Sequence, residues 1–278
     1  MSGVTDSHKT AASVQSEKSV ESAEPAEIVA VTQGETERRM SDLSAPAGAS
    51  SHGKGRLSAR GNWHTRLRVG IMGGTFDPIH YGHLVAAEQA YSDLDLNVVV
   101  FMPAGRPAFK LDKKVTSGED RFAMTLLATA DNPHFLASRF EIDREGVTYT
   151  ADTLVRLREL YPENVEFYFI TGADAIAEIV TWHDAARIAG VAHLVAATRP
   201  GYNLDRAVDA IEESGIEFDV TYLEVPALAI SSSYLRERVA AGESLRYLTP
   251  DPVTGYLHKH RLYGASSRHY GQTGDVFA

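Results

Sequence analysis

The sequence predicts an α/β fold in which a doubly wound parallel sheet carries helices on both faces. Three observations predict it. From residue 67 onward, apolar runs of strand length alternate with helical patterns. Each run is apolar on both faces, as befits a strand covered from two sides. The first run, ending at Met72, passes through Gly73-Gly74 into a helical stretch, a layout that sets backbone N–H groups and a helix N-terminus against a phosphate.

The elements follow in order. Strands are expected at 67–72, 98–102, 167–171, 193–197 and 221–225, with a weaker one at 135–138. The first helix begins at Gly82 with Leu84, Val85, Glu88 and Tyr91 in register and extends to residue 94. Further helices are expected at 119–130, 150–160, 173–188 (broken near Thr181) and 204–214. A last pair, 232–240 and 252–260, closes the chain. Right-handed crossovers place all strand C-termini on one edge, which collects distant segments into one site. Residues 1–66 read as a disordered tail, rich in Ser, Ala, Glu, Thr and Gly and without an aromatic residue before Trp63. The folded domain is expected over 67–264, with a flexible C-terminal tail at 265–278.

Composition narrows the function. The chain has 278 residues, 44% of them hydrophobic, and no cysteine. That suits a sizeable core and excludes disulfides, thiolate metal sites and a cysteine nucleophile. Seven Lys/Arg against eight Asp/Glu precede Gly61, so −9 of the net charge of −10 lies in the remainder. General nucleic-acid binding is therefore not expected, although a small anion can still be held locally. No apolar run approaches the roughly 20 residues of a membrane span. The N-terminus lacks the apolar segment of a secretory signal, so the expected location is cytoplasmic.

Two histidines, His80 and His83, flank Gly82 where the first helix begins. Imidazoles there can contact phosphate oxygens, assisted by the helix dipole. A satisfied structural pair and a metal site are the alternatives, and a metal would need a third ligand that no nearby spacing supplies. Gly73-Gly74-Thr75-Phe76 is neither a dinucleotide fingerprint nor a Walker A loop.

The stretch G-G-T-F-D-P-I-H-Y-G-H resembles the first motif of the nucleotidyltransferase superfamily marked by H-x-G-H, and in particular the bacterial nicotinate-mononucleotide adenylyltransferases. Later segments resemble the same family in order. Met102 to Lys110 resembles its P-x-x-x-P-P-x-K loop, with Ala108 in place of a proline. The helix bearing Arg121 resembles the family's next helix, with Arg121 structural. Arg144 to Leu154 resembles R-x-G-x-S-Y-T-x-D-T-L, with Thr148 in place of serine, although the same residues could serve as a helix cap. Gly172-Ala173-Asp174, Thr181-Trp182-His183 and Arg199-Pro200-Gly201-Tyr202 follow. Ala229 to Arg236 resembles the second signature, I-S-S-T-x-[IL]-R, with Ser233 for threonine.

The resemblance implies a Rossmann-like fold whose C-terminal helices close an ATP site. It implies transfer of AMP from ATP to nicotinate mononucleotide, giving deamido-NAD and pyrophosphate. ATP would be held by Gly73, Gly74, Thr75, Phe76, His80, His83, Gly172, Asp174, Ile230, Ser231, Ser232, Ser233 and Arg236. Ser232 and Ser233 are expected both to cap the helix and to donate hydroxyls. The mononucleotide would be held by Lys110, Thr148, Tyr149, Thr150, Trp182 and His183, with backbone N–H groups near Trp182 taking its carboxylate. His80, His83, Lys110 and Arg236 are the expected catalytic residues. Mg²⁺ would accompany ATP, with no protein metal site. ATP and the mononucleotide are the expected partners, without nucleic acid or membrane, and a homo-oligomer is left open. Phosphopantetheine and nicotinamide-mononucleotide adenylyltransferases are the neighbouring readings. A non-enzymatic nucleotide sensor is the distant one.

Overall fold

The computed structural model describes residues 66–111, 114–226 and 228–265. The two expected tails lie outside the described residues, apart from Arg66 and Ala265. Six strands make one sheet: β1 (Leu67–Gly74), β2 (Val98–Pro103), β3 (Phe135–Ala137), β4 (Val165–Gly172), β5 (His193–Thr198) and β6 (Val220–Glu224). They pair in parallel in the order β3-β2-β1-β4-β5-β6. The order reverses between β1 and β4. Connections leaving those two strands diverge to opposite faces and open a crevice beyond their C-terminal ends.

Helices cover both faces because successive strand residues point opposite ways. Val69 and Ile71 of β1, Phe167 and Phe169 of β4, and Leu194 of β5 enter one core. That core is shared with α3 (Thr150–Leu160), α4 (Ala173–Ile176), α5 (Ala186–Ala189) and α6 (Asp205–Ser214). Met72, Ile170 and Val195 enter the other. It is shared with α1 (Tyr81–Asp93), α2 (Gly118–Thr129), α7 (Ser232–Ala240) and α8 (Asp251–Lys259). Fully buried side chains such as Phe101, Leu154 and Ile170 each contribute about 2–3 kcal/mol of hydrophobic free energy. Among the described residues no helix is long and apolar enough to cross a membrane.

The strands and most helices lie within a residue or two of their expected bounds. The helical stretch over 173–188 is broken near Thr181, as expected. It divides into α4, a 3₁₀ turn at Ile179–Thr181, and α5. Trp182 is extended (φ −71°, ψ 153°) and Asp184 is left-handed (φ 50°), so the chain leaves helical geometry between the pieces. The break releases the Trp182 side chain toward the crevice.

Candidate active site

The loop after β1 carries the histidines. Phe76 stands at φ 50°, an uncommon conformation for a bulky residue, and is 1% exposed. Packing holds it there. Its ring meets His83 edge-on at 5.0 Å and Phe101 at 5.9 Å. The Phe76 ring therefore supports the histidine from within the core.

His80 occupies the N-cap position of α1 in extended geometry. Its N–H donates to His83 Nδ1 at 3.2 Å, and the two rings stack with centroids 3.7 Å apart. Because Nδ1 of His83 accepts, the proton of the neutral ring sits on Nε2, which is left as a donor. Burial lowers the His80 pKa to about 4. Burial, then the charges of His80 and Lys110, hold His83 well below its ordinary value. Both rings are thus neutral near pH 7. His80 Nδ1 is buried against the start of α1, without a hydrogen-bond partner among the described residues. Gly82 is required beside it, since a Cβ there would lie 3.0 Å from that nitrogen.

The second signature meets this loop from the other end of the chain. Ser231 is the N-cap of α7, its side chain accepting from the Tyr234 N–H at 3.2 Å. The cap expected of Ser232 and Ser233 therefore belongs to Ser231. Ser232 donates its hydroxyl to the Pro78 carbonyl at 2.9 Å, so its proton is already committed to the histidine loop. Ser233 Oγ accepts from Arg236 Nη2 at 3.1 Å, while Arg236 Nη1 donates to the Asp77 carbonyl at 2.7 Å. The Ile230 carbonyl lies 3.8 Å from where a Gly82 Cβ would be. These contacts bring the N-termini of α1 and α7 to one place.

A cleft of about 160 Å³ adjoins it. Gly73, Gly74 and Thr75 form one wall, and Phe169, Trp182, Tyr149, Thr150 and His183 form others. Trp182 lies 5.8 Å from the Phe109 ring and 6.2 Å edge-on from Phe169, and Tyr149 lies 4.3 Å from His183. Lys110 ends a 3₁₀ turn at Ala108–Lys110, close enough for its charge to act on His83. Thr148 is buried, with its N–H donating to the Arg106 carbonyl at 3.0 Å. It ties the two cleft loops together and is not a helix cap. Tyr149 holds the N-cap position of α3 without a side-chain cap bond. The Trp182 N–H itself is committed to the Ile179 carbonyl at 3.0 Å. The first turn of α3, beginning at Thr150 on the cleft wall, has N–H groups without intrahelical partners.

Gly172 and Asp174 stand at the end of β4 on the same sheet edge, and Asp174 accepts from the Tyr202 hydroxyl at 2.6 Å. Among the described residues no group of three His, Asp or Glu side chains could hold a metal ion.

Glu141, Gly105, Asp77 and Tyr263 were given no role by the sequence reading, whereas Arg121 is structural as expected: it is 1% exposed and donates to the carbonyls of Thr116 (3.0 Å), Thr75 (2.8 Å) and Gly105 (2.9 Å). It braces the histidine loop against the Lys110 loop. Glu141 lines the cleft, accepts from Thr153 at 2.7 Å, and has its pKa raised by burial. Gly105 passes so close that a Cβ would lie 2.1 Å from the Glu141 carbonyl oxygen. Asp77 and Tyr263 share a hydrogen bond beneath the histidine loop. A charged residue between Phe76 and Pro78 in an otherwise apolar run was the available signal for Asp77. Tyr263 offered none.

Comparison with known proteins agrees with this architecture. The cytidylyltransferase-like family model matches residues 71–238. A probable nicotinate-nucleotide adenylyltransferase of Moorella thermoacetica is 52% identical over 198 residues, covering 70% of this chain and 91% of its own. A protein of the same description from Frankia casuarinae is 54% identical over 196 residues, covering 70% and 100%. The solved nicotinic acid mononucleotide adenylyltransferase of Plasmodium falciparum, complexed with NaAD, superposes with a TM-score of 0.60 over 72% of this chain and 99% of that one. Its sequence identity is 21%, so that likeness speaks for the fold.

Proposed function

The chain belongs to the nicotinate-nucleotide adenylyltransferase family, and from that premise we propose that it joins ATP and nicotinate mononucleotide into deamido-NAD and pyrophosphate. A phosphate oxygen of the mononucleotide attacks the α-phosphorus of ATP in line. The new P–O bond forms as the bond to the bridging oxygen breaks, and that oxygen leaves on pyrophosphate. No protein nucleophile takes part, so catalysis rests on positioning and on stabilising charge at the phosphoryl oxygens.

One observation carries this reading. Gly73, Gly74 and Thr75 form a wall of the aromatic cleft and also lead into the histidine loop. The two substrates would therefore meet across a single stretch of backbone, as in-line transfer requires. His83 donates through Nε2–H, Arg236 through the guanidinium N–H groups left beyond its bonds to Asp77 and Ser233, and His80 through its other ring nitrogen, Nδ1 being buried. The N-termini of α1 and α7 add their dipoles. Lys110 bridges toward the mononucleotide phosphate. Asp174 and Gly172 border the nucleoside of ATP. The pyridine ring lies against Trp182, whose flat face suits it. Its carboxylate is drawn to the N-terminus of α3, which favours an acid over an amide. Mg²⁺ arrives as part of the ATP substrate, held by phosphates and water.

The test is pyrophosphate release by the full chain with MgATP and each of three acceptors: nicotinate mononucleotide, nicotinamide mononucleotide and phosphopantetheine. The expected order of kcat/KM puts the nicotinate form first. Preference for the amide would overturn the acceptor assignment. ATP binding without pyrophosphate from any acceptor would make the protein a nucleotide sensor.

A further inference from the structure

Asp77 is a buried acidic residue whose contacts come from distant parts of the chain. It is 3% exposed, one residue after the left-handed Phe76 and three before His80. A buried anion persists only with partners, and here they come from distant segments. Oδ1 accepts from the Tyr263 hydroxyl and Oδ2 from the Thr116 N–H at 3.3 Å. The buried Arg121 guanidinium is close enough for the two charges to favour each other. The Asp77 carbonyl is the acceptor that orients Arg236.

Tyr263 reaches Asp77 from a turn with unusual backbone. Arg261 (φ 52°), Tyr263 (φ 56°) and Gly264 (φ 82°) all lie in the left-handed region around Leu262–Gly264. Side-chain-bearing residues hold that region only where their surroundings over-determine it. Here the turn packs against α7, the helix that carries Arg236, and Ala265 beyond it is buried. Burial, then Asp77, keeps the Tyr263 proton in place far above the ordinary tyrosine range. The phenol is therefore a permanent donor.

We infer that Tyr263 is a positioning residue for nucleotidyl transfer: by fixing Asp77 it fixes the backbone leading to His80 and the carbonyl that aims Arg236. The inference rests on the proposed role of His80, His83 and Arg236 at the ATP phosphates. Tyr263 itself touches no reacting atom. Without its hydroxyl, the Asp77 carboxylate would keep the Thr116 N–H and the Arg121 charge but lose the bond that fixes Oδ1, freeing it to turn toward Arg236 and compete with phosphate for that guanidinium.

The experiment is steady-state kinetics of Tyr263→Phe in the full chain, with KM measured for each substrate. The expected result is a fall in kcat of about tenfold, the scale of one hydrogen bond to a charged group. KM for ATP rises with it and KM for nicotinate mononucleotide stays unchanged. Asp77→Asn should show the same split, and the double variant should lose less than the product of the two single losses. Wild-type kcat and KM for ATP in Tyr263→Phe overturn the inference, as does an equal rise in both KM values, which general loosening would give. If Tyr263→Phe does not fold, Asp77→Asn is judged by the same criteria. His83→Ala separates the two readings. Full activity there defeats the phosphate assignment itself, whereas activity lost there but kept in Tyr263→Phe defeats only the positioning role.

Discussion

His83 can donate to a phosphate oxygen at neutral pH without carrying a charge, because its tautomer is fixed. The His80 N–H occupies Nδ1 at 3.2 Å and leaves the proton on Nε2. A neutral donor held by stacking and by the Phe76 edge needs no reorganisation when charge develops on the phosphoryl group. His83→Ala is therefore expected to lower kcat by about 10²–10³-fold, as loss of a preorganised donor does. Pyrophosphate release at saturating substrates measures it, and near-wild-type turnover would remove His83 from the proposed site. The sequence showed both histidines and their place at a helix start. It could not show which ring nitrogen carries the proton, since that depends on an N–H three residues away in sequence but adjacent in space. Nor could it separate Ser231 from Ser232 and Ser233. All three are capping residue types, and the choice rests on backbone geometry at Ser231 (φ −134°, ψ 153°).

Loops that leave different strands stay in register only if something ties them, and α2 supplies the tie. Arg121 projects from its first turn and spends three donors on the carbonyls of Thr75, Gly105 and Thr116. Removing the guanidinium strands those acceptors in a buried space. Arg121→Met is accordingly expected to destabilise the protein by about 3–5 kcal/mol, the cost of breaking a buried ionic network from one side. Urea denaturation gives that value, and a loss under 1 kcal/mol would show that the loops hold without it. Element bounds were legible at α3 and α7, which run Thr150–Leu160 and Ser232–Ala240 as expected. At 173–188 the break near Thr181 was legible too, but not the backbone that follows it, where Trp182 is extended and Asp184 left-handed.

Across the whole molecule, two buried neutral histidines make stability depend on acidity. Their folded pKa values lie below the unfolded value near 6.5, that of His80 at about 4. Above pH 6.5 both states are unprotonated at these groups and contribute no slope. As pH falls from 6.5 toward 4, the unfolded chain takes up protons that the folded chain refuses, so stability falls. His80 alone accounts for about 3 kcal/mol over that window. Glu141, with its pKa raised by burial, acts in the opposite sense and offsets part of the change. The pH dependence of the unfolding free energy should therefore be shallower between pH 6.5 and 4 in His80→Asn than in wild type, and equal slopes would contradict it. We also propose that the catalytic domain is self-sufficient over residues 67–278. Removal of the preceding residues should leave kcat and both KM values within about twofold, and a larger loss would give that segment a part in the site. Sequence by itself determined the alternation of strands and helices, the parallel sheet and the order of the motifs, because these follow from local hydrophobic period and from short motifs whose residues lie close together in the chain. Only the tertiary structure decided that Asp77 meets Tyr263, that Arg121 braces three loops, and that Ser232 is bound to Pro78. Those contacts join residues far apart in the chain, and a side chain's hydrogen-bond partner is fixed by packing, which no local pattern encodes.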